Sequence, residues 1–195
     1  GSLDRYCVPE GLLEPSRVAE LLEKVCDALS YANARGVIHR DLKPANLMLG
    51  EFGEAQVLDW GLAVEVDREG FAPSRGAGTR GYMSPEQERG EDVDARTDVW
   101  SLGTILGEIV RSSGSEEVEL DAVVKQATAT DRDARYADAK ALAADLAAWL
   151  DGRRVRAHSY STWQLFVRVV RAWRVPSAIA VVGVMAIAIA VGLGG

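Results

Sequence analysis

Asp41, Lys43 and Asn46 stand two and three residues apart inside HRDLKPANLML, which runs from His39 to Leu49 and ends in apolar residues. A carboxylate, an ammonium and an amide this close together in a loop can surround a transferring phosphoryl group. Its charge needs cations, and the incoming nucleophile needs a proton acceptor. Asp59, in VLDWGLA, supplies a second carboxylate. Asn46 and Asp59 are oxygen donors of the kind a hard cation such as Mg2+ takes, and Lys43 brings a compact, mobile positive charge. Singly, each of these residues reads as a solvated loop residue or a cap; together and in this order they read as a site.

Several elements must hold those groups in place. After Glu14-Pro15-Ser16, the residues Val18, Leu21, Leu22, Val25, Ala28, Leu29 and Ala32 recur at three and four, and Gly36 follows as a stop, which predicts a buried amphipathic helix. Short extended pieces are expected at Val37-Ile38, Leu47 to Leu49 and Gln56 to Leu58, too few and too short for a sheet that supports a fold alone. The glycine- and charge-rich stretch from Glu65 to Gly81 reads as a mobile loop. Helices are expected over Asp94 to Val110, Val118 to Thr128 and Ala137 to Leu150. The fold class is then α+β and mostly α, with a small β element at one edge.

Charge divides the 195 residues unevenly. Up to Gly152 there are 16 cationic and 29 acidic side chains, a net charge of -13, whereas six arginines and no acids follow. So acidic a domain repels phosphate backbones, and no nucleic-acid partner is expected. Cys7 and Cys26 have neither CxxC spacing nor the numbers for a disulfide framework, so both are expected as reduced thiols. From Pro176 to Gly195 no residue is charged over 20 positions, about the length of a spanning helix, and Arg168, Arg171 and Arg174 precede it. The expectation is a single-pass protein of the cell membrane, anchored by this C-terminal helix, with everything upstream in the cytoplasm. Trp163, Phe166, Val170 and Trp173 recur at helical spacing ahead of it, as in a helix lying in the membrane interface. Small residues at Ala186 and Ala190 would let two such helices pack as a homodimer, though in an Ala-rich segment that spacing carries no weight.

The motifs VIHRDLKPANLML, VLDWGLA, GTRGYMSPEQ, DVWSLG and RDARYADA, in this order, resemble the C-terminal lobe (C-lobe) of bacterial protein kinases of the eukaryotic-like serine/threonine class, over residues 1 to about 152. The resemblance implies ATP and Mg2+ as cofactors and a protein serine or threonine as substrate. By match, Asp41 resembles the aspartate that receives the substrate hydroxyl proton, Lys43 the lysine that neutralises the γ-phosphate, and Asn46 and Asp59 the magnesium ligands. His39 matches a structural histidine, and Arg40 an arginine that grips a phosphorylated activation loop. Thr79 matches the threonine that contacts the catalytic Asp and Lys, which leaves Ser74 as the freer phosphosite. Asp98 is expected to accept backbone hydrogen bonds from the catalytic loop. Glu86 and Arg135 match a buried ion pair that ties the activation segment to the helical base.

Departures from the pattern shape the expected organisation. No lysine stands in a VAIK context, and GAGTRG from Gly76 to Gly81 follows no strand and opens no helix, so it is not read as a phosphate loop. Trp60 replaces the usual Phe after the metal-binding Asp. Too few residues separate Val110 from Val118 for the family's extra helix under the substrate groove. The first residues, GSLDRY, resemble the chain just after the interlobe hinge. The expected fold is therefore a C-lobe fragment without its N-lobe over residues 1–152, a basic juxtamembrane segment over 153–175 and a transmembrane helix over 176–195. As an isolated chain it is expected to be inactive; the alternative is a pseudokinase or membrane-tethered scaffold without nucleotide chemistry.

Overall fold

A computed structural model describes residues 2–3, 14–50, 53–114 and 117–161. Four helices build the core. Helix α1 (Pro15–Asn33) begins with Pro at its first position and buries Val18, Leu22, Val25 and Leu29 on one face. It packs along α5 (Ala139–Leu150) and against α3 (Arg96–Ser113), and α3 in turn packs on α4 (Val118–Ala127). Leu22, Leu102, Ile105, Leu120 and Leu142 are sealed from solvent where these helices meet. Each contributes about 1.5 to 3 kcal/mol by leaving water.

Two glycines set the closeness of α3 and α4. A Cβ at Gly103 would come 2.5 Å from Ala127 Cβ, and one at Gly107 would come 2.9 Å from Val124 Cγ1, so any side chain there would force the helices apart. Gly114, at φ +64°, ends α3. Asp138 caps α5 by accepting from Ala141 N at 2.8 Å.

The extended pieces form three separate two-stranded antiparallel ribbons. β1 (Val37–Ile38) pairs with β4 (Val64–Glu65), β2 (Leu47–Leu49) with β3 (Ala55–Val57), and β5 (Ala72–Pro73) with β6 (Asp92–Val93). The stretch expected as a mobile loop is thus pinned at both ends of its first half by β4 and β5. It continues into a one-turn helix, α2 (Pro85–Glu88), capped by Ser84 in a capping box with Gln87. Helix α3 runs three residues beyond its expected end at Val110 and stops where Gly114 takes the left-handed conformation.

Beyond α5 the chain stays attached. Buried Asp145 accepts from Arg156 N at 2.9 Å, Ala157 N at 3.0 Å and the Tyr136 hydroxyl at 2.8 Å, while Val155 enters the core. Burial first, and Asp145 second, push the Tyr136 hydroxyl well above its ordinary value. These contacts carry the compact unit to His158, past the boundary expected at 152.

The expected fold class needs correction. Among the described residues no helix is long and apolar enough to cross a membrane, because every long helix is amphipathic and turns its apolar face to the core. The stretch from Pro176 to Gly195, with the interfacial aromatics and small-residue spacing around it, lies outside the described residues.

Candidate active site

The loop from β1 to β2 is held by a buried carboxylate. Asp98, in the first turn of α3, accepts the His39 N–H and the Arg40 N–H, each at 2.9 Å. Burial pushes its carboxyl up against the pull of those two bonds. Arg40 takes a left-handed conformation, φ +68°, that costs a side-chain-bearing residue about 1 kcal/mol or more and persists because both neighbours are fixed. His39 is fully buried with both ring nitrogens engaged: Nδ1 accepts from Asp41 N at 3.2 Å and Nε2 donates to Leu58 O at 3.0 Å. That pairing defines the neutral tautomer and leaves no nitrogen for base chemistry. Its ring meets Trp60 edge-on at 4.7 Å.

The turn Pro44–Asn46 then brings three polar heads together. Lys43 Nζ donates to Asp41 Oδ2 at 3.0 Å and to Thr79 Oγ1 at 2.9 Å, and the Thr79 hydroxyl donates to Asp41 Oδ1 at 2.6 Å. Burial raises the Asp41 pKa, but the Thr79 and Lys43 hydrogen bonds outweigh it, so the carboxyl lies below its usual range. Asn46 is buried, with Nδ2 donating to Asp41 O at 2.9 Å. Its backbone O accepts from Leu58 N at 2.8 Å, which brings the chain just before Asp59 up to the loop. Asp59 is exposed, also left-handed at φ +57°, and accepts from Gly61 N at 3.4 Å.

The activation segment is tied down by side-chain bonds to backbone. Arg40 donates from Nε to Leu62 O at 2.7 Å and from Nη1 to Pro73 O at 3.0 Å and Ser74 O at 3.2 Å. Burial first, then the nearby Arg75, pull its pKa down. Ser74 differs from expectation: it is 0% exposed, its hydroxyl accepting from Gly76 N at 3.2 Å and donating to Gln87 O at 3.4 Å. No modifying enzyme reaches it in this arrangement.

Glu86 and Arg135, 49 residues apart, meet side by side. Nη1 lies 2.7 Å from Oε1 and Nη2 2.8 Å from Oε2, and the Arg135 and Glu86 side chains are 0% and 4% exposed. Arg135 also donates to Ala129 O at 2.7 Å and lies 4.9 Å from the Trp100 ring centroid, while Glu86 accepts from Thr97 Oγ1 at 3.2 Å. Burial raises the Glu86 pKa, but the Arg135 bonds hold it below its ordinary value. The motif reading missed Gln87 and Asp145. A capping-box spacing, Ser84-x-x-Gln87, is the one signal that marks the first; nothing in the periodicity of KALAADLAAWL marks the second.

A loop carrying Asp41 and Lys43, held by a helix carboxylate and faced by a segment stapled through Glu86 and Arg135, defines a protein kinase domain. The protein kinase domain family model matches residues 1–141, and the chain belongs to that family. The match is to the kinase domain as such and starts at residue 1, so the expected description as a C-lobe alone is corrected to a protein kinase domain; among the described residues no helix is long and apolar enough to cross a membrane. Among relatives, the chain is 36% identical over 167 residues to the serine/threonine-protein kinase PknB of Mycolicibacterium smegmatis, covering 70% of this chain and 27% of the relative. It is 35% identical, with the same coverage, to PknB of Mycobacterium tuberculosis. It is 35% identical over 175 residues to the probable serine/threonine-protein kinase SCO3848 of Streptomyces coelicolor, covering 74% and 26%. The chain thus spans about a quarter of the length of these curated relatives.

Proposed function

We propose that this chain carries the catalytic residues of a serine/threonine protein kinase, which moves the γ-phosphoryl group of ATP to a protein serine or threonine. The observation that carries the reading is the closed triangle of Asp41, Lys43 and Thr79. In this reading Asp41, ionised at neutral pH, accepts the proton of the substrate hydroxyl as its oxygen bonds to phosphorus and the bond to ADP breaks. Lys43 balances charge on the transferring group. Thr79 orients the carboxylate, and the neutral His39 only braces the loop.

The donor set fits Mg2+: Asn46, with its amide nitrogen committed to Asp41 O, keeps an oxygen for a cation, and Asp59 is an exposed carboxylate. When bound, the ion supplies neutralisation of phosphate charge. That the relatives are serine/threonine-protein kinases supports a serine/threonine rather than a tyrosine acceptor. For regulation we propose Arg40 as the anchor of the activation segment, with the Leu62, Pro73 and Ser74 carbonyls occupying it here.

The test is transfer of labelled phosphate from Mg-ATP to a serine- and threonine-rich test protein by the full-length protein and its Asp41→Asn variant. A loss of roughly a thousandfold is expected. Equal rates, or no transfer by the wild type, would overturn the reading; the second outcome is the one a binding module without nucleotide chemistry predicts.

A further inference from the structure

Gln87 is fully buried, and every polar atom of its side chain is used. The amide nitrogen donates to Arg40 O at 2.8 Å and to Ala77 O at 2.9 Å, while Oε1 accepts from Ser84 N at 3.1 Å. Two carbonyls on one side can be met only by an NH2 group, so the orientation of the amide follows from its partners.

The two carbonyls belong to the two parts of the site that must meet. Arg40 O lies in the peptide leading into Asp41, and Arg40 N is already held by Asp98, so this left-handed residue is gripped from both sides. Ala77 stands two residues before Thr79, whose hydroxyl touches Asp41. Between them Gly78, at φ +137°, leaves no room for a side chain: a Cβ would come 3.0 Å from Arg40 O and 3.1 Å from Gln87 Nε2. Backbone of the two segments comes close here, with Met83 Cγ 3.0 Å from the same point, and Gln87 bonds to both segments.

We propose that Gln87 is a positioning residue for phosphoryl transfer: its NH2 group clasps the catalytic loop to the activation segment and so sets the register of Thr79 against Asp41 and Lys43. The proposal rests on the kinase reading above. Gln87 also closes the capping box of α2, but the two roles need different atoms. The cap uses the oxygen as an acceptor, which Glu supplies as well as Gln; the clasp uses the NH2 donor, which a carboxylate lacks.

Gln87→Glu therefore separates clasp from cap in the full-length protein. The expected result is a kcat lower by about tenfold or more, from a small misplacement of the reacting groups, with the KM for ATP unchanged. Hydrogen-exchange protection of residues 74–82 should fall while the cap at Ser84 persists. Acidification should restore part of that protection, because a protonated carboxyl donates again. Ser84→Ala, which weakens the cap and keeps the donor, should lower the melting temperature and leave kcat in place. If Gln87→Glu does not fold, Gln87→Met gives the same shape without a donor and the same expected loss. A wild-type kcat in the donor-less variants, unchanged protection at 74–82, or an equal kcat loss in Ser84→Ala would overturn the positioning role alone. Absence of transfer by the wild type would overturn the kinase reading and this role with it.

Discussion

Two buried aspartates hold two stretches of chain in the same way. Asp98 on α3 accepts two consecutive N–H groups of the catalytic loop, from His39 and Arg40. Asp145 on α5 accepts two consecutive N–H groups of the strap after α5, from Arg156 and Ala157. What differs is the backbone each one holds. The loop includes a left-handed arginine followed directly by Asp41, so its shape is strained and, in the proposed kinase reading, chemically consequential. The strap carries no reacting group; its anchor is shared with the Tyr136 hydroxyl and backed by buried Val155. A buried carboxylate over paired amides thus says only that a segment is fixed; what that segment does must be read from the side chains it carries.

The sharpest way to break this parallel is to remove Asp98. Asp98→Ala strands two buried donors and releases a strained residue, and we expect a loss of about 4 kcal/mol in denaturant unfolding. Transfer should fall by at least about a hundredfold per folded molecule. Next is Arg135→Ala, which leaves Glu86 charged and buried; about 3 to 5 kcal/mol of stability should go. Asp145→Asn should cost about 2 kcal/mol by mispairing one donor, while transfer per folded molecule stays at the wild-type level. A fall in transfer as steep as that from Asp98 would erase the distinction between the two anchors.

Acid gives a smaller effect with a definite sign. The Glu86 carboxyl is held below its ordinary value in the fold, so its contribution is fully present above the ordinary glutamate range and is lost as pH falls through and below it. The wild-type melting temperature should therefore drop on acidification more steeply than that of Glu86→Gln. Smallest of all is Arg132→Ala. This residue lies three positions from Arg135, and among the described residues its guanidinium donates to Asp92 O at 3.3 Å and lies 5.0 Å from the Phe71 ring centroid. A change of about 0.5 kcal/mol is expected, and a loss matching that of Arg135→Ala would show that the Glu86 pair is not special.

The helices were legible because burial imposes a period. Val18, Leu22, Val25 and Leu29 announce α1 and Gly36 marks its stop, whereas the stop of α3 at Gly114, at positive φ, was not expected from the sequence. Order and type in the sequence single out Asp41, Lys43 and Thr79, and the structure brings their side chains within hydrogen-bond reach; their catalytic role is the proposal made above. The activation segment was not legible. It is held by Arg40, Gln87 and Ser74 bonding to carbonyls, and such bonds leave no hydrophobic rhythm in the sequence. The burial of Ser74, expected as the freer phosphosite beside Thr79, escapes the sequence for the same reason, since its hydroxyl sits between Gly76 N and Gln87 O. Asp145 escaped because one acid among alanines reads as the polar face of a helix.

Burial of Ser74 also turns its hydroxyl into a clock. Any transferase acting there must wait for the segment to lift off α2, and where it captures each opening rarely the rate of modification follows the population of the open segment. Every about 1.4 kcal/mol added to the cost of opening then slows modification tenfold at a given concentration of the modifying enzyme. Variants that loosen the segment, Gln87→Glu among them, should therefore take up phosphate at Ser74 faster than the wild type, and the ratio of the two rates measures how tightly the closed segment is held.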